Sequence, residues 1–398
     1  MIRTLNPHEQ NKAFIFLLFI IASSFQVGTD LYLPTLPALG DAFGAENTLV
    51  QMTLSAFLGG TVIFQLIYGP LSDHYGRRRI LLVGLSIAVM ASFSCIWATS
   101  LEQLIFSRFL QGSGVGACSL MTRAALRDLY NVNAFAEKVS FINVGLAFVP
   151  SVGAIVGSYA LLSMGWQGSF IVLTFFYAIL FISVWRWLPE TLVKQSNAST
   201  RIVDIGKGYW EVLSHRSFCS YSLCSGLVFA GWVAYLSSAP FLFQAELGLT
   251  AVEYAWLLLA LTICIAVSSF TNGIVIQKMG VLKMTSIGLT ILFLSGVFFV
   301  FCAFMQSITI YTLLVGGMIY ACGASFIYSN VKAGAFNVFP KKAGITAALY
   351  GGIQIGVTCL VSLLVAYLPE GDTFYLGLLF LMLSSISLVL LWKFAHFK

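Results

Sequence analysis

Charged side chains are scarce in this sequence. Only 9% of its 398 residues are Asp, Glu, Lys or Arg, against about 25% in soluble globular domains. Hydrophobic residues make up 59% of the chain, and the mean hydropathy is +0.92. A water-soluble fold is therefore excluded, and the composition indicates an integral membrane protein.

Motifs that carry metal, redox or nucleotide chemistry are also missing. All eight cysteines fall in apolar runs without CxxC or CxxH spacing, which argues against a disulfide framework and a metal site. No GxxxxGK[ST] sequence is present, which argues against ATP as the energy source. Neither a catalytic pair nor a sizeable soluble domain is visible. We therefore expect no cofactor and no enzyme activity.

What the sequence has instead is a series of apolar runs of about 20 residues. Each is long enough to cross a ~30 Å hydrocarbon core as a helix. The runs predict an all-α protein with twelve transmembrane helices, over residues 13–33, 48–69, 80–98, 101–123, 138–162, 166–187, 217–240, 253–275, 283–303, 307–329, 343–367 and 373–392.

The basic residues predict the orientation. With both termini in the cytoplasm, every Lys and Arg lies in an interior segment except Arg108 and Arg123, which fall inside the fourth span. Such a one-sided distribution follows the positive-inside rule. It explains the net charge of +6 as a topological signal and argues against a nucleic-acid partner. The partner implied by the spans is the lipid bilayer.

An internal repeat divides the chain. Shifting GPLSDHYGRRRILLVG by 204 residues aligns it with GIVIQKMGVLKMTSIG, so that Gly76 and Gly84 coincide with Gly280 and Gly288. Parallel repeats of this kind predict two six-helix bundles. We place the first over 1–188, a cytoplasmic linker over 189–216 and the second over 217–398. Within the linker, IVDIGKGYWEVL is either a short helix on the inner membrane surface or a plain tether.

The loop after the second span contains GPLSDHYGRRRI, and with twelve spans in two halves it resembles the major facilitator superfamily. The resemblance implies that this loop is a cytoplasmic gate whose ion pairs lock the inner side while the cavity faces outward. The alternative is that its arginines only enforce topology. The matching positions are Gly69, Asp73, Gly76, Arg77 and Arg78.

Further motifs resemble the bicyclomycin-resistance (Bcr/CflA) branch of drug:proton antiporters. These are TDLYLPTLP at 29–37, LPETL at 188–192 and the segment 221–241. GLAFVPSVGAIVG in the fifth span resembles the exporter motif, with Gly145, Pro150 and Gly153 retained and Val149 in place of a glycine. The branch implies a bacterial inner-membrane transporter that exchanges small molecules for protons.

An ionisable side chain inside a bilayer costs about 3 kcal/mol or more, which makes it a candidate functional group. Asp30 is such a carboxylate, and helical spacing places Ser23, Gln26 and Asp30 on one face. Arg108 is expected within about 5 Å of the same depth, where the two charges could pair to couple protons. Alternatively, Asp30 only ends its helix, and Arg108 only binds backbone carbonyls.

Other side chains are candidates for the substrate cavity or for packing. Gln111 lies one turn from Arg108 and predicts a shared polar network. The glycines Gly112, Gly116, Gly153 and Gly157 are expected to be close-packing contacts, and Pro150 to kink its helix. The candidate cavity residues are Ser23, Gln26, Asp30, Arg108, Gln111, Arg123, Tyr235 and Gln354.

The sequence thus predicts a proton-coupled exporter of small amphiphilic molecules, such as drugs or a native metabolite, working by alternating access as a monomer. The alternative is a proton symporter that imports a metabolite or siderophore on the same fold, because a fold does not determine the direction of transport.

Overall fold

The computed structural model describes residues 12–129, 138, 142, 144–192, 202–339, 343–367 and 373–394. These residues are predominantly helical. The α-helices are α1 Lys12–Asp30, α2 Leu36–Phe43, α3 Asn47–Tyr75, α4 Arg77–Ile96, α5 Leu101–Leu129, α6 Val149–Met164, α7 Gln167–Trp187, α8 Ile202–Leu213, α9 Arg216–Pro240, α10 Ala251–Met279, α11 Val281–Phe304, α12 Ile310–Val338, α13 Ala343–Ala366 and α14 Thr373–Phe394.

Eleven helical spans in the described ranges are long and apolar enough to cross a membrane. The one predicted span not among these eleven, residues 101–123, corresponds to α5, whose 29 residues are enough to cross a membrane. It is more polar than the others because Glu102, Arg108 and Arg123 interrupt its apolar sequence. Helix α5 nevertheless packs on α1 and α4, two of the apolar spans.

Helix α1 ends earlier than the predicted first span, and two further short helical segments follow it. Helix α1 stops at Asp30, a 3-10 turn covers Leu33–Thr35, and α2 continues to Phe43. Proline causes both changes: Pro34 lies in the first turn of the 3-10 segment, and Pro37 in the first turn of α2. Proline has no amide hydrogen to donate and disfavours helix in the residue before it. Asp30 therefore lies at a break within a span that runs from Lys12 to Phe43.

The fifth span is interrupted in the same way. Residues 144–146 are helical, 147–148 form a turn, and α6 begins at Val149 with Pro150 in its first turn. The expected distortion at Pro150 is thus observed, because a proline fits the first turn of a helix and cannot continue a preceding one. Most of residues 130–143, which include the predicted start of this span, lie outside the described residues.

The chain divides into two compact units. The first contains residues 1–45 and 53–205, and the second contains 46–52 and 206–398. In the first unit α5 packs on α1 and α4, and α7 packs on α4; in the second, α12 packs on α9 and α11, and α14 packs on α11. The linker segment IVDIGKGYWEVL is helical and forms α8, and its Trp210 is 74% exposed. Its place on the inner membrane surface stays a prediction.

The internal repeat is confirmed by helix boundaries. Helices α3 and α10 both have 29 residues, and Asn47–Tyr75 shifted by 204 residues becomes Ala251–Met279. Each is followed by one glycine with positive φ, Gly76 or Gly280, and then by the next helix. The two copies thus keep the same helix–glycine–helix corner, although most of the charge of the first copy is missing from the second.

Candidate functional site

Asp30 is the last residue of α1 and is buried, with 6% of its surface exposed. Ser23 on the same face is also buried, whereas Gln26 is half-buried. The Ser23 hydroxyl is used locally, since it donates to the Ile20 carbonyl at 2.8 Å. The predicted stripe is therefore present, and its charged member, the Asp30 carboxyl group, lies at the helix break.

Glycines of α6 let that helix touch the end of α1. A Cβ at Gly157 would lie 1.9 Å from the Leu31 carbonyl oxygen, and one at Gly153 would lie 3.3 Å from the Leu31 amide nitrogen and 3.6 Å from Asp30 Cβ. A Cβ at Gly145 would lie 2.6 Å from the Phe19 ring. The close packing expected for Gly153 and Gly157 is confirmed, and it brings the exporter-like segment against the backbone beside Asp30.

Arg108 is fully buried in α5 and binds the same helix end from another side. Its Nη1 donates to the Gly28 carbonyl at 3.1 Å, and its guanidinium carbon lies 4.4 Å from the ring centres of Tyr32 and Phe57. Because α1 ends at Asp30, the Gly28 carbonyl has no amide of the same helix four residues on. The arginine therefore supplies a donor that the helix lacks.

The expected ion pair between Asp30 and Arg108 does not form in this structure. Arg108 uses Nη1 for Gly28 and for the Gln111 side-chain oxygen, so the prediction of a shared network with Gln111 is confirmed. Gln111 in turn donates to the Ser92 hydroxyl at 2.6 Å. Nε and Nη2 of Arg108 are buried without a hydrogen-bond partner among the described residues. The arginine can therefore accommodate another acceptor.

The gate loop forms a compact charge cluster. Arg77 is buried and pairs with Asp73 at 2.5 Å and with Asp128 of α5 at 3.3 Å. It also donates to the Ser72 hydroxyl at 2.5 Å, and Ser72 donates to the Gly69 carbonyl at 2.8 Å. Asp128 lies 51 residues further along the chain, so the sequence alone did not identify it as a member of this cluster.

Glu190 of the LPETL segment is a second member that the sequence analysis missed. Its carboxylate accepts from the amides of Arg77 at 2.9 Å and Arg78 at 3.3 Å, the first two residues of α4. Such an acid at a helix N-terminus satisfies orphan donors and interacts favourably with the helix dipole. Arg78 also donates to the Trp185 carbonyl near the end of α7. Glu190 thus ties the end of α7 to the start of α4.

Gly76 makes this contact possible. Its φ is +100°, and a Cβ there would lie 2.4 Å from a carboxylate oxygen of Glu190. The equivalent Gly280 has φ of +80°, yet a Cβ there would have no atom within 4 Å. Both glycines serve the corner, but a carboxylate lies against Gly76 only.

In the second unit, the two candidate cavity residues lie in different surroundings. Tyr235 of α9 is buried, stacks on Trp232 and donates to the Leu313 carbonyl at 3.2 Å. Gln354 of α13 is half-buried and donates to the Ser225 hydroxyl at 3.1 Å. In the first unit, Arg123 is exposed on α5. The structure therefore gives Tyr235 a packing role and leaves Gln354 accessible.

The sequence profile of the Major Facilitator Superfamily matches residues 18–354. The chain belongs to the Major Facilitator Superfamily. It is 28% identical over 385 residues to multidrug resistance protein D of Escherichia coli strain K12, with 96% of each chain covered. It is 25% identical over 361 residues to a bicyclomycin resistance protein homologue of Haemophilus influenzae, with 90% of each covered.

The superfamily assignment agrees with the three-dimensional comparison. The crystal structure of a D-xylose-proton symporter superposes with a TM-score of 0.77, covering 97% of this chain and 98% of that one at 16% identity. At that identity the likeness shows the fold alone. Members of the superfamily are multi-span membrane transporters of small molecules, so this chain is a transporter rather than an enzyme.

Proposed function

We propose that this chain is a proton-coupled antiporter that exports small amphiphilic molecules, such as drugs or a native metabolite, across the bacterial inner membrane by alternating access. Both termini are cytoplasmic in this proposal, and the protein works as a monomer. The six-helix bundles are assigned to 1–188 and 217–398, joined by the linker 189–216. The names of the relatives support drug export, since both are resistance proteins.

The observation that carries the proposal is a buried carboxyl group at a helix break that has no ion pair among the described residues. Asp30 is 6% exposed, ends α1 and lies against Gly153 of the exporter-like segment. A buried ionisable group in a membrane span is costly and is a functional candidate by default. At a break between α1 and the 3-10 turn, small shifts of either segment would change its contact with water. Asp30 is thus suited to take up a proton on one side and release it on the other.

Arg108 is proposed to tune this proton site. Its guanidinium binds the Gly28 carbonyl, two residues before Asp30, and keeps Nε and Nη2 available. A deprotonated Asp30 would compete with that carbonyl for the arginine, whereas a protonated Asp30 would not. Protonation of Asp30 would therefore determine whether Arg108 contacts the Gly28 carbonyl or the Asp30 carboxylate. That choice would in turn change how α5 packs on α1.

The charge cluster at the corner of α3 and α4 is proposed to be the cytoplasmic gate, formed by Gly69, Asp73, Gly76, Arg77 and Arg78. Its support is the buried Arg77, which Asp73, Asp128 and Glu190 hold through side chain and backbone. A guanidinium held by two acids from separate helices, Asp73 and Asp128, can be released in one conformation and rebound in another. On this proposal the cluster controls access and does not carry the transported proton.

The substitution Asp30→Asn tests the proposal, because it removes the titratable proton with little change of shape. Purified protein would be placed in liposomes, and the substrate would be the compound that shows the largest proton-driven accumulation in a screen of antibiotics and dyes. We expect Asp30→Asn to equilibrate this compound down its own gradient but not to accumulate it when a pH difference is imposed. Asp41→Asn is the matched control, since Asp41 is an exposed acid of the same span.

Accumulation by Asp30→Asn with the pH response of the unmodified protein would refute Asp30 as the proton carrier. The direction of movement distinguishes the remaining alternative. An antiporter moves the compound against the proton flow, whereas a symporter importing a metabolite or siderophore moves it with the protons. In cells, the exporter raises tolerance to its substrate and the importer lowers it.

A further inference from the structure

A neutral polar patch lies on three helices of the second unit. The Ser225 hydroxyl of α9 accepts from Tyr350 at 2.6 Å and from Gln354 at 3.1 Å, both on α13. One turn from Ser225, Phe229 packs edge-on against Tyr328 of α12, with 6.3 Å between the ring centres. We call these five residues the Ser225 patch.

The Ser225 patch has hydrogen-bonding capacity that the described residues do not use. The Tyr328 hydroxyl is buried and has no hydrogen-bond partner in the part of the chain that the structure describes. Ser225 already accepts two hydrogen bonds, and no acceptor for its own proton is present among the described residues. Among the described residues, no group donates a hydrogen bond to the side-chain oxygen of Gln354. One patch thus offers two hydroxyl donors and an amide acceptor beside two aromatic rings.

Two fully buried tyrosines of this unit, Tyr235 and Tyr320, differ from Tyr328 in their hydrogen bonding. Tyr235 donates to the Leu313 carbonyl at 3.2 Å, and Tyr320 donates to the Val228 carbonyl at 2.9 Å. A buried phenol normally finds such a partner, because an unsatisfied one loses hydrogen bonds to water without compensation. The Tyr328 hydroxyl has no such partner among the described residues, and its ring contacts Phe229. A ligand that reaches the patch could supply the missing partner.

The patch also differs from the first unit in charge. The buried charged side chains of the described residues are Asp30, Arg77 and Arg108, and all three lie in the first unit. The buried polar residues described in the second unit are Ser, Thr, Asn and Gln51, together with tyrosines, and all of these side chains are neutral. A neutral surface does not recognise a ligand by its charge. It selects ring shape and hydrogen-bonding groups.

We infer that the Ser225 patch binds a neutral, aromatic, hydrogen-bonding part of the transported molecule, with the Tyr328 hydroxyl as a specificity-determining group. This inference rests on the proposed transport function and names its substrate class. Two aromatic rings bind the flat apolar part, while Tyr328, Ser225 and Gln354 provide the polar contacts. A site that hydrogen-bonds a substrate discriminates against analogues that lack the bonding group, because its own polar groups then remain unpaired.

The test is equilibrium binding to the purified full-length protein without any ion gradient. Chloramphenicol is the first probe, since it is neutral and combines an aromatic ring with hydroxyl and amide groups. Tetraphenylphosphonium is the second, since it is aromatic and permanently charged but cannot form hydrogen bonds. For Tyr328→Phe we expect chloramphenicol affinity to fall about five- to tenfold, the range of one lost hydrogen bond. Tetraphenylphosphonium affinity should change less than about twofold.

Two other tyrosines provide controls. Tyr311 is 79% exposed, so Tyr311→Phe should bind both probes as the unmodified protein does. Tyr320→Phe removes a hydroxyl whose partner is the Val228 carbonyl, so it lowers stability without a selective loss for chloramphenicol. An equal loss of both probes in Tyr328→Phe would show a structural effect and overturn the inference. Unchanged chloramphenicol binding in Tyr328→Phe, or none by the unmodified protein, would overturn it as well.

These outcomes are separable from failure of the proposed function. Binding is measured at equilibrium, whereas proton-coupled export is measured as accumulation under a pH gradient. If Tyr328→Phe keeps its chloramphenicol affinity while Asp30→Asn loses accumulation, only the substrate inference fails. If Tyr328→Phe loses affinity selectively but no pH gradient drives transport, the patch is a binding site and the antiport proposal fails.

Discussion

At the scale of single residues, the lack of a Cβ at Gly76 determines the structure of the charged corner between α3 and α4. Its positive φ turns the chain between α3 and α4, and its open Cβ position admits the carboxylate of Glu190. That carboxylate satisfies the first amides of α4. Gly280 makes the same turn without a carboxylate against it. Comparing the two glycines therefore distinguishes the need for a positive φ from the need for space beside Glu190.

The substitutions Gly76→Ala and Gly280→Ala should therefore differ in cost. Positive φ strains any residue with a Cβ by about 1–2 kcal/mol, which applies to both. At Gly76 the new Cβ also displaces Glu190, and loss of that cap adds about 1 kcal/mol. We expect thermal unfolding in detergent to show a larger loss for Gly76→Ala.

A double-mutant cycle with Glu190→Ala identifies the cause. Once the carboxylate is absent, the added penalty of Gly76→Ala should fall to that of Gly280→Ala. If Gly76→Ala costs the same with and without Glu190, the clash with Glu190 is not its source.

At the scale of secondary structure elements, the pairing of α1 with α6 depends on glycines. Gly157 faces the Leu31 carbonyl and Gly153 faces the Leu31 amide, where the helix path breaks beside Asp30. In a membrane, helices associate through packing and hydrogen bonds rather than the hydrophobic effect, and small residues let backbones approach. These two glycines therefore allow α6 to pack on α1, and the same contact determines the surroundings of Asp30.

We expect Gly157→Ala to be more damaging than Gly153→Ala. A Cβ at Gly157 would lie 1.9 Å from a backbone oxygen, which cannot move without shifting α1, and overpacking of this kind costs about 1–3 kcal/mol. At Gly153 the nearest atom is 3.3 Å away, so a shift of a few tenths of an ångström suffices. Thermal unfolding of both variants in detergent checks the order. Equal stability of the two would show that α1 and α6 can separate without cost.

At the scale of the whole molecule, the distribution of basic residues predicts one orientation in the membrane. The described helices have large apolar side chains on their outer surfaces, such as Trp392 at 89% and Phe270 at 71% exposure. In water such surfaces would aggregate, whereas in lipid they are the expected boundary. The predicted orientation rests on the loops, because interior loops keep their Lys and Arg.

Cysteine labelling in intact cells measures that orientation. On a background without the eight native cysteines, an impermeant maleimide should label Ala245→Cys, at the predicted exterior end of the seventh span, and should miss Ser214→Cys before that span. Both positions are exposed, so accessibility within the fold does not decide the result. Permeabilised cells should label both variants. The reverse pattern in intact cells would place the termini outside.

The sequence alone determined most of the architecture, because its strongest signals are local. Apolar runs predicted spans close to the observed helices, and the repeated glycine corner predicted the equivalence of α3 and α10. It also pointed to the residues around the helix break and the gate, since a charge within an apolar run stands out at once. The pairing of Arg108 with Gln111 followed from helical spacing.

Only the tertiary structure decided which partners those charges have. Arg108 binds the Gly28 carbonyl instead of Asp30, Arg77 collects Asp128, and Glu190 caps a helix that begins 113 residues earlier. Each of these contacts joins distant parts of the chain, and several carbonyls and acids could have filled each role. Composition determines that a buried charge must be compensated, but helix packing determines which atoms come within hydrogen-bonding distance.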